Sequence, residues 1–160
     1  MSLPETPLIR PPATGRTIGV GGDVYRFLAT GAENGGRYAM WEAIVPPGSG
    51  PPPHIHSREA EAFCVLEGEM TFYLEDERIT APQGSFVHAP PGSLHRFCNE
   101  SGETARMTIT IVPAGLEEMF FEVGHPLSAD AVAAPAPTPA DIENLIAAAP
   151  RYGVELRLPH

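Results

Sequence analysis

The sequence is poor in cysteine and in basic residues, and each shortage excludes a class of protein. Two cysteines in 160 residues are too few for a disulfide scaffold, and a reducing compartment would keep them as thiols. Ten Lys and Arg residues against twenty Asp and Glu give a net charge of −10. That charge repels phosphate backbones and anionic lipids, so neither nucleic acid nor a membrane surface is an expected partner.

Long apolar runs are also absent. No stretch approaches the roughly 18 apolar residues of a membrane helix, and the first residues lack the basic and apolar regions of a signal peptide. We therefore expect a cytoplasmic protein. A chain of 160 residues fits one domain, which buries about 70 per cent of its unfolded surface and needs no disulfide or structural metal to fold.

Short apolar segments separated by glycine, proline and acidic turns predict about nine or ten strands, as in an all-β double-sheet jelly roll or barrel. In the third segment either Trp41, or Met40 together with Glu42, faces inward. The strand candidates are Thr17 to Val20, Val24 to Leu28, Tyr38 to Val45, Glu61 to Leu66, Met70 to Leu74, Arg78 to Ala81, Phe86 to His88, Leu94 to Asn99 and Thr104 to Val112.

The sequence divides into three parts, with the strand region in the middle. The proline-rich residues 1–16 predict an extended arm, and residues 17–124 predict the barrel with a short closing helix that begins at Leu116. Residues 125–160 predict an Ala/Pro-rich linker, a helix over 139–149 and a tail that packs on the barrel. The tail could add a final strand. Gly31 to Gly36 is interpreted as a loop.

One stretch brings together residues that bind metals. His54 and His56 are two apart, so on an extended segment both side chains point to the same face. Glu61 follows at the start of an apolar strand, and a carboxylate there can face the same interior. Three such ligands leave room for a fourth, and a second stretch supplies His95 after a Pro-Gly turn.

The two stretches resemble the paired motifs of the cupin superfamily, G-x5-H-x-H-x4-E-x6-G over 48–68 and G-x5-P-x-G-x2-H-x3-N over 84–99. The resemblance covers residues 38–112 and is strongest to small quercetin-dioxygenase-like cupins. It implies a double-stranded β-helix with one or two short C-terminal helices. It also implies one divalent metal held by His54, His56, Glu61 and His95. Imidazole and carboxylate ligands suit Fe, Mn, Ni, Cu, Co or Zn.

Strand parity predicts a mostly apolar pocket around that metal. The alternative is that these side chains are ordinary core. The outward neighbours Cys64, Cys98 and Arg96 are interpreted as packing or surface residues. The predicted pocket residues are Phe63, Val65, Met70, Phe72 and Phe97, and the histidines to which no role is assigned are His88, His125 and His160.

The function that the resemblance implies is a metal-dependent dioxygenase acting on a small aromatic or enol-bearing substrate. Glu61 would be a catalytic residue, as an adaptable ligand or as a general base. Two alternatives remain open, namely a small-molecule binding or sensing module, and a non-redox isomerase or lyase. An exposed barrel edge and the N-terminal arm predict a homodimer, because pairing covers edge strands.

Overall fold

The computed structural model describes residues 6–159 as two antiparallel sheets that face each other across one core. Residues 1–5 and His160 lie outside this range, and so does that part of the predicted arm. The strands are Thr17–Val20 (β1), Asp23–Ala29 (β2), Ala39–Val45 (β3), His54–His56 (β4), Ala60–Glu67 (β5), Glu69–Leu74 (β6), Glu77–Pro82 (β7), Phe86–Ala89 (β8), Leu94–Cys98 (β9), Ala105–Val112 (β10), His125–Leu127 (β11) and Val154–Leu156 (β12).

The strand order confirms the predicted all-β jelly roll. One sheet has the order β11-β1-β2-β3-β10-β5-β8, and the other has the order β12-β4-β9-β6-β7. Neighbours in both sheets are antiparallel. Because chain neighbours such as β5 and β6 lie in different sheets, the chain repeatedly crosses the core, and the two sheets wrap one interior.

Aromatic side chains fill one end of that interior. Trp41 faces inward and is 1% exposed, which settles the ambiguous parity of β3. Its ring lies 5.6 Å from that of Tyr25, 5.3 Å from that of Phe27 and 5.5 Å from that of Phe120. Tilted and edge-to-face contacts at these distances are the favoured aromatic geometry. The cluster holds β2 and β3 against the helix that carries Phe120.

Three α-helices join the strands within the described range, and the first corrects an expectation. Gly31–Asn34 forms the short helix α1 where a loop was expected, because Glu33 and Thr30 complete a capping box. Glu117–Val123 (α2) and Pro139–Ala148 (α3) lie close to the predicted ranges. Thr138 caps α3 by accepting a hydrogen bond from the Asp141 backbone. No helix within residues 6–159 is long and apolar enough to span a membrane.

The C-terminal region is tied to both sheets. Residues 125–127, which were expected in the linker, pair with β1 as strand β11. Arg26 then holds the linker by donating hydrogen bonds to the carbonyl oxygens of Ala129 and Ala131. A 3-10 helix over Ala149–Tyr152 leads into β12, which pairs with β4 and confirms a final strand. We refer to residues 128–159 as the C-terminal cover.

The described part of the N-terminal segment packs on its own barrel. Arg10 donates to the Leu28 carbonyl oxygen and forms an ion pair with Glu33 of α1. The Arg16 guanidinium lies 3.7 Å from the centre of the Phe121 ring, a cation–π contact. These contacts anchor residues 10–16 to β2, α1 and α2.

Candidate metal centre

Strand β4 carries two of the four clustered residues. His54 and His56 are buried while Ile55 between them is partly exposed, as the two-residue period of a strand requires. β4 has only three residues and lies between β12 and β9. His95 on β9 is directly opposite His54, so three imidazoles line one patch of the five-stranded sheet.

Glu61 reaches the same patch from the other sheet. It lies on β5 and is buried at 6% exposure. One ligand atom from each of the four residues lies within 4.8 Å of the others. The structure therefore brings together all four residues that the sequence singled out, across the space between the sheets.

The other motif residues shape the backbone around these side chains. Gly92 adopts φ +84° in the turn before His95, and its amide donates to the His56 carbonyl oxygen at 2.9 Å. Gly68 adopts φ +76° with Ala105 Cα 3.2 Å from where a Cβ would be. Asn99 donates to the Val45 carbonyl oxygen at 2.9 Å. The fixed glycines and asparagine thus hold the turns that position the ligand strands.

Backbone carbonyl groups orient two of the imidazoles. His54 Nδ1 lies 2.8 Å from the Pro52 carbonyl oxygen, and His95 Nδ1 lies 3.1 Å from that of Ser93. A carbonyl oxygen only accepts, so both Nδ1 atoms are the protonated ones. In the neutral ring this leaves the lone pair on Nε2, the arrangement that metal-binding histidines adopt. Sequence reasoning missed this role of Pro52 and Ser93, although each stands two residues before a histidine.

The contacts of Glu61 call for a cation between the groups. Its Oε2 lies 2.9 Å from His95 Nε2 and 2.9 Å from His56 Nε2. In neutral His95 both facing atoms carry lone pairs, which repel unless a proton or a metal ion lies between them. Neither ring nitrogen of buried His56 has a well-aligned hydrogen bond. The donor set and this buried, unsatisfied imidazole fit a divalent metal.

The electrostatics of the cluster follow from burial and from these contacts. Burial lowers the pKa of His54 to about 4, with help from the neighbouring His56 and His95, so His54 is neutral at pH 7. Burial raises the pKa of Glu61, but contacts with His56 and His95 outweigh it, and the net pKa lies well below its usual value. Glu61 is thus an anion, and His54 offers a free lone pair.

Glu59 is a second buried carboxylate that sequence reasoning missed. Its Oε2 lies 3.8 Å from His56 Nδ1, beyond hydrogen-bond distance. Burial raises the pKa of Glu59, and the charge on His56 opposes that shift. Its spacing two residues before Glu61 places both side chains on one face of an extended segment, which was the available signal.

The five predicted pocket residues all lie in the buried core. The ring of Phe63 is 6.3 Å from that of His95. The rings of Phe72 and Phe97 lie 5.0 and 6.0 Å from the Phe63 ring. Phe63 is therefore the aromatic neighbour of the cluster, with the other two behind it. Val65 and Met70 are equally buried. Substrate contact by any of the five stays a prediction.

The other singled-out side chains lie away from the cluster. Cys64 is exposed and Cys98 is partly exposed, both as free thiols. The Arg96 guanidinium lies 4.1 Å from the centre of the Tyr73 ring. His125 Nε2 is 2.6 Å from Asp141 Oδ1 at the start of α3, and His88 is exposed.

The cupin domain family matches residues 41–112, the segment that holds the whole cluster. These residues, which make up less than half of the chain, are similar to a cupin domain. The quercetin 2,3-dioxygenase of Bacillus subtilis (strain 168) is 27% identical to this chain over 126 residues, 78% of this chain and 37% of that protein. The chain spans little more than a third of the length of the curated dioxygenases that it matches.

Solved structures show the same fold. The polyketide cyclase RemF from Streptomyces resistomycificus superposes with a TM-score of 0.56 at 26% identity, covering 66% of this chain and 79% of that one. A predicted oxalate decarboxylase from Thermotoga maritima gives 0.60 at 18% identity, with coverage of 66% and 99%. The second likeness concerns the fold alone.

Proposed function

We propose that this protein is a cupin and a metal-dependent dioxygenase-like enzyme that acts on a small aromatic or enol-bearing substrate. The observation that carries the proposal is the convergence of three imidazoles and one carboxylate on a buried point inside the barrel. Similarity to quercetin 2,3-dioxygenases supports the reaction class. Quercetin is itself an aromatic molecule with an enol hydroxyl group, so the substrate class follows from the same similarity.

His54, His56, Glu61 and His95 would hold the ion. Imidazole nitrogens and a carboxylate oxygen are ligands that Fe, Mn, Ni, Cu, Co and Zn all accept. A redox-active ion in this group supplies the activation of dioxygen and of a deprotonated substrate hydroxyl when it is bound. Pro52 and Ser93 keep the Nε2 atoms of His54 and His95 directed at it.

Glu61 is the residue that we assign to proton transfer. Its carboxylate is buried in the cluster, whose aromatic neighbour is Phe63. When it leaves the ion, the carboxylate could take the proton of a substrate hydroxyl bound at the cluster. The same residue would then be an adaptable ligand and a general base in turn.

The likeness to a polyketide cyclase favours one other candidate, a non-redox ring closure or isomerisation. That protein shares 26% identity with this chain over the superposed region. In such a reaction Glu61 would move a proton while the ion acts only as a Lewis acid. Both candidates place an aromatic or enolic molecule at the same cluster.

Oxygen uptake separates these functions. The metal-loaded protein is mixed with quercetin in an oxygen electrode, with Fe, Mn, Ni, Cu and Co each tested, and Glu77→Gln is the exposed control for Glu61→Gln. Oxygen loss equal to quercetin loss, abolished only in Glu61→Gln, is the expected result. Substrate loss without oxygen uptake would favour the cyclase or isomerase. Binding without any loss of quercetin would indicate a binding module.

We also propose that the protein is a homodimer. β8 is an edge strand of the seven-stranded sheet, and Phe86 on it is 66% exposed. Cys64 is directly opposite Phe86 on β5 and is also exposed. An exposed edge strand with an aromatic side chain favours pairing with a second copy. Sedimentation equilibrium at micromolar concentration tests this, and a monomer there would contradict it.

A further inference from the structure

A cavity of about 380 Å³ lies at the side of the barrel, between the β1–β2 turn and β12. Ligand sites commonly have volumes of about 300–1,000 Å³ and mostly apolar walls. The outer wall here is helix α3 with the linker before it, so the C-terminal cover closes what would be an open side. The lining side chains include Tyr25, Pro52, Phe120, Ile142, Leu145 and Leu156.

The cavity adjoins the metal cluster through β4. Pro52 lines the cavity, and its carbonyl oxygen lies 2.8 Å from His54 Nδ1. Leu156, a second lining residue, is directly opposite His54 in the β12–β4 pair. Residues opposite each other on paired strands point to the same face. A molecule in the cavity would therefore lie beside the strand that presents His54.

The charges around the cavity disfavour an anion. The chain has no lysine, and none of its ten arginines lines the cavity. Its carboxylates are Asp23, which bonds to Ser49, and Asp141, which bonds to His125 and Thr138. His125 also lines the cavity but already pairs with Asp141, so an added carboxylate or phosphate would be buried without an arginine or lysine partner. The walls favour an uncharged molecule.

Tyr25 supplies a polar group on the cavity wall. It is 6% exposed and lines the cavity, with its ring held 5.6 Å from that of Trp41 and 5.2 Å from that of Phe120. A phenol hydroxyl both donates and accepts hydrogen bonds, so a ligand hydroxyl in the cavity can pair with it.

We propose that this cavity binds an uncharged aromatic alcohol, with its rings against α3 and Phe120 and its hydroxyl on Tyr25. Taking that ligand as the substrate rests on the proposed function. The binding step itself does not, because the cavity walls contain none of the four clustered residues. The C-terminal cover would thereby select the substrate, and the reaction would take place at the cluster in the barrel.

Three probes with one ring system test the selectivity. Naphthalene, 2-naphthol and 2-naphthoate each displace the uncharged fluorophore N-phenyl-1-naphthylamine from the protein. We expect 2-naphthol to bind several-fold more tightly than naphthalene, because it adds the hydrogen bond to Tyr25. We expect 2-naphthoate to bind at least tenfold more weakly than 2-naphthol. Equal or tighter binding of the carboxylate would overturn the proposal.

Two variants locate the binding site. Tyr25→Phe is expected to lower 2-naphthol affinity to that of naphthalene and to leave naphthalene unchanged. Ile142→Trp fills the cavity from an exposed helix position and is expected to lower binding of every probe at least tenfold. Asn144→Trp, on the same helix but outside the cavity, is the matched control. Binding that survives Ile142→Trp and Tyr25→Phe would show that the probes bind elsewhere.

Metal content measured on the same samples separates the two proposals. If 2-naphthol binds as expected and the protein holds no metal, the proposed function fails and the binding site stands. If the metal is present and probe affinity is unchanged in Tyr25→Phe and Ile142→Trp, this inference fails and the proposed function stands. If Ile142→Trp stops quercetin turnover while metal content is unchanged, the cavity delivers substrate to the metal centre.

Discussion

The metal cluster and the C-terminal cover differ in how their sequences specify them. In the barrel, His54, His56, Glu61 and His95 each stand at a fixed spacing, and glycines with positive φ hold the turns between them. The cover has only an apolar stripe on α3 and one N-cap at Thr138. The barrel therefore depends on side-chain identity, whereas the cover depends on composition and on how it packs.

The two regions meet at β4, the short strand that carries His54 and His56. β4 has three residues and would be an edge strand without β12. Val154 of β12 is opposite His56 and is 5% exposed. The cover thus supports the strand that carries two ligands, so damage to either region can be read out in the other.

The largest expected effect is confined to the barrel. Glu61→Gln keeps the size of the side chain but removes the charge that a divalent ion needs. Changes outside the ligand shell cost roughly 10–100-fold in metal affinity, so loss of a ligand is expected to cost more than about 100-fold. Competition with a chelator measures this. Exposed Glu77→Gln is the control, and equal affinities would remove Glu61 from the ligand set.

The second effect lies where the β1–β2 turn meets the cavity. Burial raises the pKa of Asp23 from 3.8 to about 7, partly offset by its hydrogen bond to Ser49. The carboxyl is protonated more readily in the folded chain, so its contribution to stability is full below about pH 4. That contribution is lost as the pH rises to about 7.

Asp23→Asn removes this titration and keeps a hydrogen-bonding group for Ser49. Between pH 5 and 8 the native protein should lose on the order of 3 kcal/mol relative to the variant, at about 1.4 kcal/mol per pH unit. Urea unfolding at both pH values measures the difference. A constant difference would mean that Asp23 has an ordinary pKa.

The third prediction concerns a substitution in the cover that is expected to change metal affinity in the barrel. Val154→Ala removes buried methyl groups opposite His56 and is expected to destabilise the fold by about 2 kcal/mol. Because β4 loses packing, metal affinity should fall as well. Glu155→Ala, at the exposed neighbouring position, should change neither stability nor metal affinity. Unchanged metal affinity in Val154→Ala would show that β12 does not support the ligands.

The smallest effect is confined to the cover. Thr138→Ala removes the N-cap of α3 and is expected to cost about 1 kcal/mol of helix stability. Binding of 2-naphthol should weaken while metal content stays the same. Thr138→Ser keeps the hydroxyl and is the matched control. Loss of metal in Thr138→Ala would contradict this prediction and show that α3, and not only β12, supports the ligand strand.

Much of the barrel was predictable because its signals are local. The alternation of apolar residues predicted the strands around Glu61 and His95, and the H-x-H spacing predicted that His54 and His56 share a face. Trp41 was ambiguous because both faces of β3 carry large side chains, and only packing against Tyr25 and Phe120 decided its side.

The remaining features depend on contacts between distant residues. β11 has three residues, one of which is Pro126, and it exists because it pairs with β1. The cavity needs Tyr25 and Leu145 on one surface, far apart in the chain. The carbonyl oxygens of Pro52 and Ser93 act through the backbone, so residue type gives no sign of them.

Metal content by elemental analysis, comparing native protein with the double variant His54→Ala, His95→Ala, tests the central claim most directly. The account predicts close to one Fe, Mn, Ni, Cu or Co per native chain and none in the double variant. Zinc alone would keep the site but shift the function towards a non-redox reaction or binding. Absence of metal from the native protein after incubation with each ion would contradict the account.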